Sequence, residues 1–253
     1  MKSIASTRSE AKIQAQLKKK LFSSHIRCPK CSRRYSRIIS TRYWCRKCRY
    51  KFSLKSCLIF KASKLPFVAL WQLLECWLGK LSISQTSFVC SLSEVTVRRW
   101  YRKFSGLIPE ENITLSGIVE VDEAFIGKKK YDNQTVVIGG IDRSSGRISL
   151  RAIPAREQGH TDRFILDTIP QGSFIHTDAW VGYWHLTEFF GYGHEMVNHS
   201  IGSFGPTNRI ENVWMRFRRF VRKTVTRAWK ENLPRLLKEF QARVNYPAAF
   251  QDP

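Results

Sequence analysis

Three acidic side chains occur where the sequence lets them converge on a metal ion. Asp122 lies inside the apolar, β-branched stretch 117–126, and Asp178 ends a second apolar run, 173–178. A third acid, Glu211, lies in a segment whose pattern predicts a helix. A carboxylate inside a buried strand is costly unless something compensates its charge. Carboxylate oxygens suit Mg²⁺ or Mn²⁺, and a pair of such ions supports in-line attack on a phosphodiester.

Four cysteines form a second metal-binding pattern. Cys28 and Cys31 make one CxxC pair, and Cys45 and Cys48 make another after thirteen residues. Two such pairs can place four thiolates tetrahedrally around Zn²⁺, and this short polar segment has little core without the ion. We therefore predict a zinc ribbon over residues 25–57. The chain has seven cysteines, an odd number without an export signal, which favours reduced thiols over disulfides.

The charge distribution indicates a polyanionic partner. The formal net charge is +23. Residues 1–110 hold 24 Lys and Arg against 4 acids, whereas residues 111–253 hold 19 against 16. A strongly positive field binds phosphate backbones. The division predicts a nucleic-acid-binding N-terminal part joined to a body that carries the carboxylates. The alternative is a basic membrane-surface protein, but no lipidation signal accompanies the charge.

Neither a secretory signal nor a membrane span is predicted. The first twenty residues contain no apolar core. The most apolar stretch, 65–78, is too short to span a bilayer and contains Gln72 and Glu75, so a buried amphipathic helix is favoured. We expect a cytoplasmic protein, nucleoid-associated if its source is bacterial, with no membrane partner.

The basic N-terminal part divides into three predicted segments. Residues 1–24 favour a short basic helix, which either docks on DNA or presents a solvated face. The zinc ribbon follows, and residues 62–108 then favour helices, with two short ones at 84–90 and 93–104 around a tight turn. This pairing predicts a helix-turn-helix, with an ordinary helical hairpin as the alternative. Its second helix would present to a major groove the side chains of Thr96, Arg99 and Lys103.

The pattern changes in the last segment, residues 113–253. Three strands are predicted first, followed by helix, strand, helix, strand and two helices, at 118–125, 135–141, 147–153, 161–169, 173–177, 181–190, 194–198, 208–223 and 233–245. This order is that of a ribonuclease H-like α/β fold, in which the first and fourth strands are adjacent, so that Asp122 and Asp178 could meet. The predicted fold class is therefore α/β, with a ribonuclease H-like catalytic domain preceded by a zinc ribbon and a helix-turn-helix domain.

The motifs together resemble those of DDE transposases of the Merlin superfamily and related bacterial insertion-sequence transposases. They are the two cysteine knuckles, the helix-turn-helix, VDEAFIG at 121–127, HTDAWVGY at 176–183, VNHS at 197–200 and TNRIENVW at 207–214. The resemblance implies a transposase that binds the ends of a mobile DNA element and catalyses metal-dependent cleavage and strand transfer. It implies double-stranded DNA as partner, both element ends and target, and a homo-oligomer on that DNA. The implied Mg²⁺ or Mn²⁺ ligands are Asp122, Asp178 and Glu211.

The resemblance leaves two candidates for the third catalytic position. Some relatives have an Asn there, which makes Asn208 a rival to Glu211. We favour Glu211, because an ionised Glu contributes a negative charge toward two dications that a neutral amide cannot. Asn208 would then orient substrate or a ligand. Two positions depart from the family pattern, since Pro206 stands where His is common and Arg218 where Lys is common. Arg218 and Arg222 are expected to bind DNA.

A competing hypothesis is that the protein does not catalyse a reaction. The chain would then be a sequence-specific DNA-binding regulator or a domesticated, inactive transposase. The carboxylates favour the enzyme, because a regulator has no need of them.

Overall fold

The structure is a computed structural model that describes residues 8–23, 25–34, 37–39, 42–128, 134–197, 208–224 and 230–251. The chain divides into two compact units, Met1–Lys103 and Phe104–Asp252. Within the described ranges, no helix has the length and apolar character needed to cross a membrane. The predicted VNHS motif beyond Val197, together with Pro206 and Thr207, lies outside the described residues.

The first unit contains a small sheet and four helices. The sheet is antiparallel, with strands in the order β1-β2-β3, at Arg37–Ile39, Arg42–Trp44 and Lys51–Phe52. The helices are α1, α2, α3 and α4, at Glu10–Phe22, Phe67–Leu78, Ile83–Cys90 and Glu94–Gly106. Each predicted helix of this part is therefore present, with ends shifted by one or two residues.

Helix α1 is packed into this unit. Its Ile13 is fully buried, and the Glu10 carboxylate accepts hydrogen bonds from the backbone amides of Phe67 and Val68, each at 2.9 Å. The residue preceding α2 is Pro66, which provides no side-chain cap. Glu10 therefore supplies from another helix the N-terminal cap that α2 lacks.

Helices α3 and α4 meet through a tight turn and a buried hydrogen bond. Ser91 ends α3 in the left-handed conformation, and the Ser93 hydroxyl accepts from the Thr96 amide at 3.3 Å, which caps α4. Between the helices, the hydroxyls of Thr86 and Tyr101 lie 2.6 Å apart. These contacts fix the angle between the two helices.

The second unit is built on a five-stranded mixed sheet. Its strands β4, β5, β6, β7 and β8 are Ile118–Ile126, Thr135–Asp142, Ile148–Ile153, Phe174–Asp178 and Gly193–Val197. Their order is β6-β5-β4-β7-β8, with β4, β5 and β6 antiparallel and with β7 parallel to both β4 and β8. The first and fourth strands of this unit are therefore adjacent, as predicted for a ribonuclease H-like fold.

In the part of this unit that the structure describes, four α-helices cover the two faces of the sheet. They are α5, α6, α7 and α8, at Gln158–Thr168, Leu186–Phe190, Asn208–Thr224 and Leu233–Asn245. The single helix predicted over 181–190 is instead a 3-10 turn, Val181–Tyr183, followed by α6. The physical reason is Tyr183, whose buried side chain donates its hydroxyl hydrogen to Glu123, so the chain turns inward before α6 begins.

Alternation along β4 sends neighbouring acids to opposite faces of the sheet. Ala124 belongs to the core beneath α7 and α8, and Glu120 and Asp122 share its face. Val121 belongs to the core beneath α5, and Glu123 shares that face. The acidic pair Asp122-Glu123 therefore does not act as one unit, because its two carboxylates have different surroundings.

Candidate active site and metal centre

Asp122 and Asp178 lie at the same level of two adjacent parallel strands, Asp122 in the middle of β4 and Asp178 at the end of β7. The last pair between β4 and β7 is Glu120 with His176, and each Asp lies two residues further along its strand. Parallel register therefore carries both carboxylates to the same level and the same face of the sheet. The structure thus brings together the first two predicted metal ligands.

The Asp122 carboxylate is held by a tryptophan from α7. The Trp214 indole Nε1 donates to Asp122 Oδ2 at 2.9 Å. Burial raises the pKa of Asp122 to about 6, and the nearby charge of Asp178 adds to the rise, whereas the indole hydrogen bond opposes it. Two acids crowded in this way are stabilised by a proton or by a cation. The donor chemistry therefore fits a divalent metal ion.

A guanidinium joins Asp178 to the opposite face of the sheet. Arg156 Nη2 lies 2.8 Å from Asp178 Oδ2 and 3.2 Å from Glu123 Oε2. Its guanidinium also lies 4.6 Å from the centroid of the Trp180 ring. Burial raises the pKa of Glu123 to about 7, although the Tyr183 hydroxyl and Arg156 both favour its ionised form. Arg156 therefore supplies the positive charge that balances the two acids.

The third acid lies on the first turn of α7. Glu211 and its rival Asn208 are both exposed. The start of this helix is fastened to β4, because the backbone amides of Arg209 and Ile210 donate to Glu120 Oε2 at 2.9 and 3.0 Å. Among the described residues, the carboxylates of Asp122, Asp178 and Glu211 do not all approach within 4.8 Å of one another. The structure places the third acid on the helix that covers the site.

The exposed side of α7 is basic. Arg218 and Arg222, predicted to bind DNA, are both exposed, while Phe217 and Val221, each one position earlier, are buried. Positions 211, 218 and 222 fall on one helical stripe, because they are spaced by two turns and one turn. The same face of α7 therefore carries an acid at its start and guanidinium groups further along.

The predicted groove-binding side chains of α4 differ in their surroundings. Arg99 is exposed. The Thr96 hydroxyl lies 3.0 Å from that of Ser93, and the Lys103 ammonium lies 4.5 Å from the centroid of the Trp100 ring. Val95, which the sequence analysis did not select, is 77% exposed. The outward side chains of the helix therefore include an apolar one beside Arg99.

The four predicted zinc ligands converge in the first unit. The Sγ atoms of Cys28 and Cys48 are 3.5 Å apart, as are those of Cys31 and Cys45. Tetrahedral ligation with Zn–S bonds of about 2.3 Å requires sulfur separations of roughly 3.8 Å. Within the described ranges, these four cysteines form the only group of three or more His, Cys, Asp or Glu residues whose potential ligand atoms all lie within 4.8 Å of one another.

The two cysteine knuckles have matching backbone geometry. Ser32 and Arg49, each directly after the second cysteine of its pair, have positive φ values of 57° and 55°. A hydrogen bond from the backbone amide of Cys48 lowers the pKa of Cys45 to about 6. A thiolate and three further sulfurs are a donor set that suits Zn²⁺.

Sequence reasoning missed four residues that shape the catalytic end of the sheet. Glu120 could have been found, since it is two positions before Asp122 and strand alternation gives both one face. Trp214 and Tyr183 belong to the quoted motifs, but their partners are 92 and 60 residues away. Arg156 lies in the connection between β6 and α5, and no local pattern marks it.

Three solved structures illustrate the distant likeness of this chain to retroviral integrases. The HTLV-2 integrase catalytic core domain in complex with magnesium is 13% identical, with a TM-score of 0.36 over 54% of this chain and 89% of that one. The BIV integrase catalytic core domain is 13% identical, with a TM-score of 0.36 over 52% and 84%. The simian T-cell lymphotropic virus intasome in complex with PP2A regulatory subunit B56 gamma is 13% identical, with a TM-score of 0.38 over 65% and 69%. No curated protein matches the chain in sequence.

The strand order and the carboxylates at the same level of the adjacent strands β4 and β7 define an α/β domain of the ribonuclease H-like class. The sequence profile of the ISXO2-like transposase domain matches residues 114–245, just over half of the chain. The chain therefore belongs to this transposase family, and the predicted resemblance to DDE transposases is confirmed.

Proposed function

We propose that this chain is a transposase that binds the ends of a mobile DNA element and catalyses metal-dependent DNA cleavage and strand transfer. The observation that carries the proposal is the position of Asp122 and Asp178 at the same level and on the same face of adjacent parallel strands within the family-matched domain. The segments 25–57, 62–108 and 113–253 would serve as zinc ribbon, helix-turn-helix and catalytic domain. The DNA-bound form would be a homo-oligomer.

In this proposal, Asp122, Asp178 and Glu211 hold Mg²⁺ or Mn²⁺. The bound ions would stabilise the charge that develops on the attacking and leaving oxygens of the phosphodiester. Asn208, one turn before Glu211, would orient the substrate. Trp214 fixes the orientation of Asp122 through its indole N–H, and Arg156 performs the same task for Asp178.

The exposed guanidinium groups of α7 fit a phosphate backbone. Arg218 and Arg222 share a helical stripe with Glu211, so DNA bound along that stripe would extend toward the acids. Guanidinium groups suit this task because their planar fork can bind phosphate through two hydrogen bonds. These arginines would position the duplex without selecting its sequence.

Sequence selection is assigned to α4. Arg99 could donate two hydrogen bonds to a guanine edge in the major groove, and the exposed Val95 methyl groups could contact thymine. Thr96 and Lys103 would support this contact from the sides of the helix. Zn²⁺ held by the four cysteines would give the preceding ribbon its fold, because three short strands have little core of their own.

The decisive experiment measures cleavage of a duplex that contains an element end. The full chain is incubated with Mg²⁺ or Mn²⁺, and the variants Asp122→Ala and Glu211→Gln are compared with Asn208→Ala. We expect the first two to abolish cleavage while binding the end-containing duplex normally, and Asn208→Ala only to slow the reaction. Glu188→Gln, an exposed acid on α6, serves as the matched control and should cleave normally.

The other outcomes assign other functions. If Asn208→Ala is inactive and Glu211→Gln cleaves normally, the third catalytic position belongs to Asn208. If the wild-type chain binds end-containing DNA with high specificity yet never cleaves it with either metal, the chain is a DNA-binding regulator or an inactive transposase. If cleavage persists in Asp122→Ala, the activity does not belong to this site.

A further inference from the structure

Glu120 is a fully buried carboxylate on the strand that also carries Asp122. It is 0% exposed. Its Oε2 accepts the backbone amide hydrogens of Arg209 and Ile210 at 2.9 and 3.0 Å, and its Oε1 lies 3.3 Å from Nε of Arg143. A buried charge is retained only where such partners compensate its desolvation. The partners here belong to two other segments, the β5–β6 turn and the first turn of α7.

These contacts determine where α7 begins. The first four amides of a helix have no acceptor within the helix, and two of those of α7 are satisfied by Glu120. The negative charge of Glu120 also lies at the positive end of the helix dipole, which strengthens the attachment. The next residue after the two bonded amides is Glu211. Its backbone is therefore fixed relative to β4, although its side chain is exposed.

We propose that Glu120 is a positioning residue of the reaction, which holds Glu211 in register with Asp122 by anchoring the first turn of α7 to the catalytic strand. This inference rests on the proposed function, because it assigns Glu120 a task in that chemistry. The logic is geometric. Glu120 and Asp122 share a face of one strand. Asp122, which would bind the metal, therefore moves together with Glu120, which anchors the helix that carries Glu211.

A second buried glutamate provides a matched control. Glu239 on α8 is 1% exposed, lies 3.0 Å from Nη2 of Arg243 and accepts a hydrogen bond from the Ser105 hydroxyl. The substitutions Glu120→Gln and Glu239→Gln each remove one buried, paired charge. They should therefore lower the stability of the fold to a similar extent, while only the first loosens the anchor of α7.

The first measurement follows the amides themselves. In hydrogen exchange of the full chain, the amides of Arg209 and Ile210 should exchange at least about tenfold faster in Glu120→Gln than in Glu239→Gln at equal global stability. This comparison needs neither metal nor DNA. Equal protection of the two amides in both variants would overturn the proposed anchor.

The second measurement follows the reaction. Removing a group that orients a metal ligand typically costs about 10- to 100-fold in activity or metal affinity. We expect a loss of that size in kcat for Glu120→Ala, with a higher Mg²⁺ requirement, partial recovery in Glu120→Gln and unchanged affinity for DNA. Glu239→Ala should keep the wild-type Mg²⁺ requirement.

The two proposals fail separately. If the wild-type chain does not cleave DNA, the proposed function fails, and hydrogen exchange still decides whether Glu120 anchors α7. If the wild type cleaves and Glu120→Ala keeps the kcat and Mg²⁺ requirement of Glu239→Ala, the positioning role is wrong while the proposed function stands. If Glu120→Ala does not fold, Glu120→Gln replaces it in the kinetic measurement, where a smaller loss of kcat than in Glu120→Ala is expected relative to Glu239→Gln, and equal kcat and Mg²⁺ requirement in the two Gln variants would show that the positioning role is wrong.

Discussion

Replacing Gly139 by alanine should displace the Trp214 indole, which donates a hydrogen bond to Asp122. Gly139 is paired with Asp122 across β4 and β5, and the Trp214 ring covers it. A Cβ at this position would lie 2.6 Å from Trp214 Cη2, 2.9 Å from Cζ2 and 2.6 Å from Leu150 Cδ2. Ordinary contacts begin at 3.4 Å, so the rigid indole must retreat by 0.8 Å.

The retreat of the indole has a cost that can be estimated. Overpacking a core costs about 1–3 kcal/mol. A retreat directly away from the sheet would also lengthen the Trp214–Asp122 hydrogen bond from 2.9 Å to roughly 3.7 Å, beyond hydrogen-bond range. A buried acceptor that loses its donor costs a further ~1–3 kcal/mol, and the two losses overlap. We expect Gly139→Ala to lower the free energy of unfolding by about 3 kcal/mol.

Urea unfolding followed by tryptophan fluorescence and circular dichroism measures this change. The control is Gly140→Ala, whose Cβ would face the other side of the sheet and meet Leu115 Cδ1 at 2.8 Å, the end of a flexible side chain. That variant should lose about 1 kcal/mol or less, because the leucine can change rotamer. Gly139→Ala should also reduce DNA cleavage more than Gly140→Ala does.

The double variant Gly139→Ala/Trp214→Phe tests the cause. A phenylalanine lacks the ring atoms that the new Cβ would meet, so the second change should relieve the first. The double variant should therefore be more stable than the sum of the single changes predicts by about 1 kcal/mol or more. Strictly additive effects, or a Gly139→Ala chain as stable as wild type, would refute the argument that Gly139 is required by the indole.

Three further predictions concern other parts of the chain. Elemental analysis should find one zinc per chain, and Cys45→Ser should lose the metal and unfold the ribbon; a folded, zinc-free wild type would contradict the ribbon assignment. Arg99→Ala should lower the preference for element ends over random duplex by about tenfold in competition binding, whereas Arg222→Ala should weaken both equally. Burial opposes the ionisation of Asp142, but hydrogen bonds from Ser144 and Ser145 outweigh this effect and lower the pKa of Asp142 to about 2. The stability it contributes should be complete above about pH 4 and lost as the pH falls toward 2, and Asp142→Asn should flatten that loss in urea unfolding.

Much of the fold could be predicted from local patterns. Strand alternation in β4, the CxxC spacing and the helical stripe of α7 are each set within a few residues, and each was found at its predicted place. The prediction of a single helix over 181–190 was wrong because the conformation there depends on the hydrogen bond from Tyr183 to Glu123, which is 60 residues away in sequence. Local periodicity contains no information about such a contact.

Of the residues in the candidate site, only the acids could be predicted from the sequence. Asp122 lies inside an apolar strand and Asp178 ends one, which is a local signal. The role of Arg156 is recognisable only when β6, β5, β4 and β7 have assembled into the sheet. Its importance follows from charge balance, because its guanidinium contacts both Glu123 and Asp178. A sequence pattern indicates which buried acids need a compensating positive charge, and the fold determines which residue provides that charge.

The strand β4 serves the site through both of its faces. On one face, Asp122 meets Trp214 and Glu120 anchors α7. On the other face, Glu123 contacts Arg156, which also binds Asp178 at the end of the sheet. Glu123 therefore acts on the site through a guanidinium even though it points away from Asp122. Because both routes start from one strand, a shift of β4 would displace Asp122 directly and would disturb Asp178 through Arg156 and the first turn of α7 through Glu120.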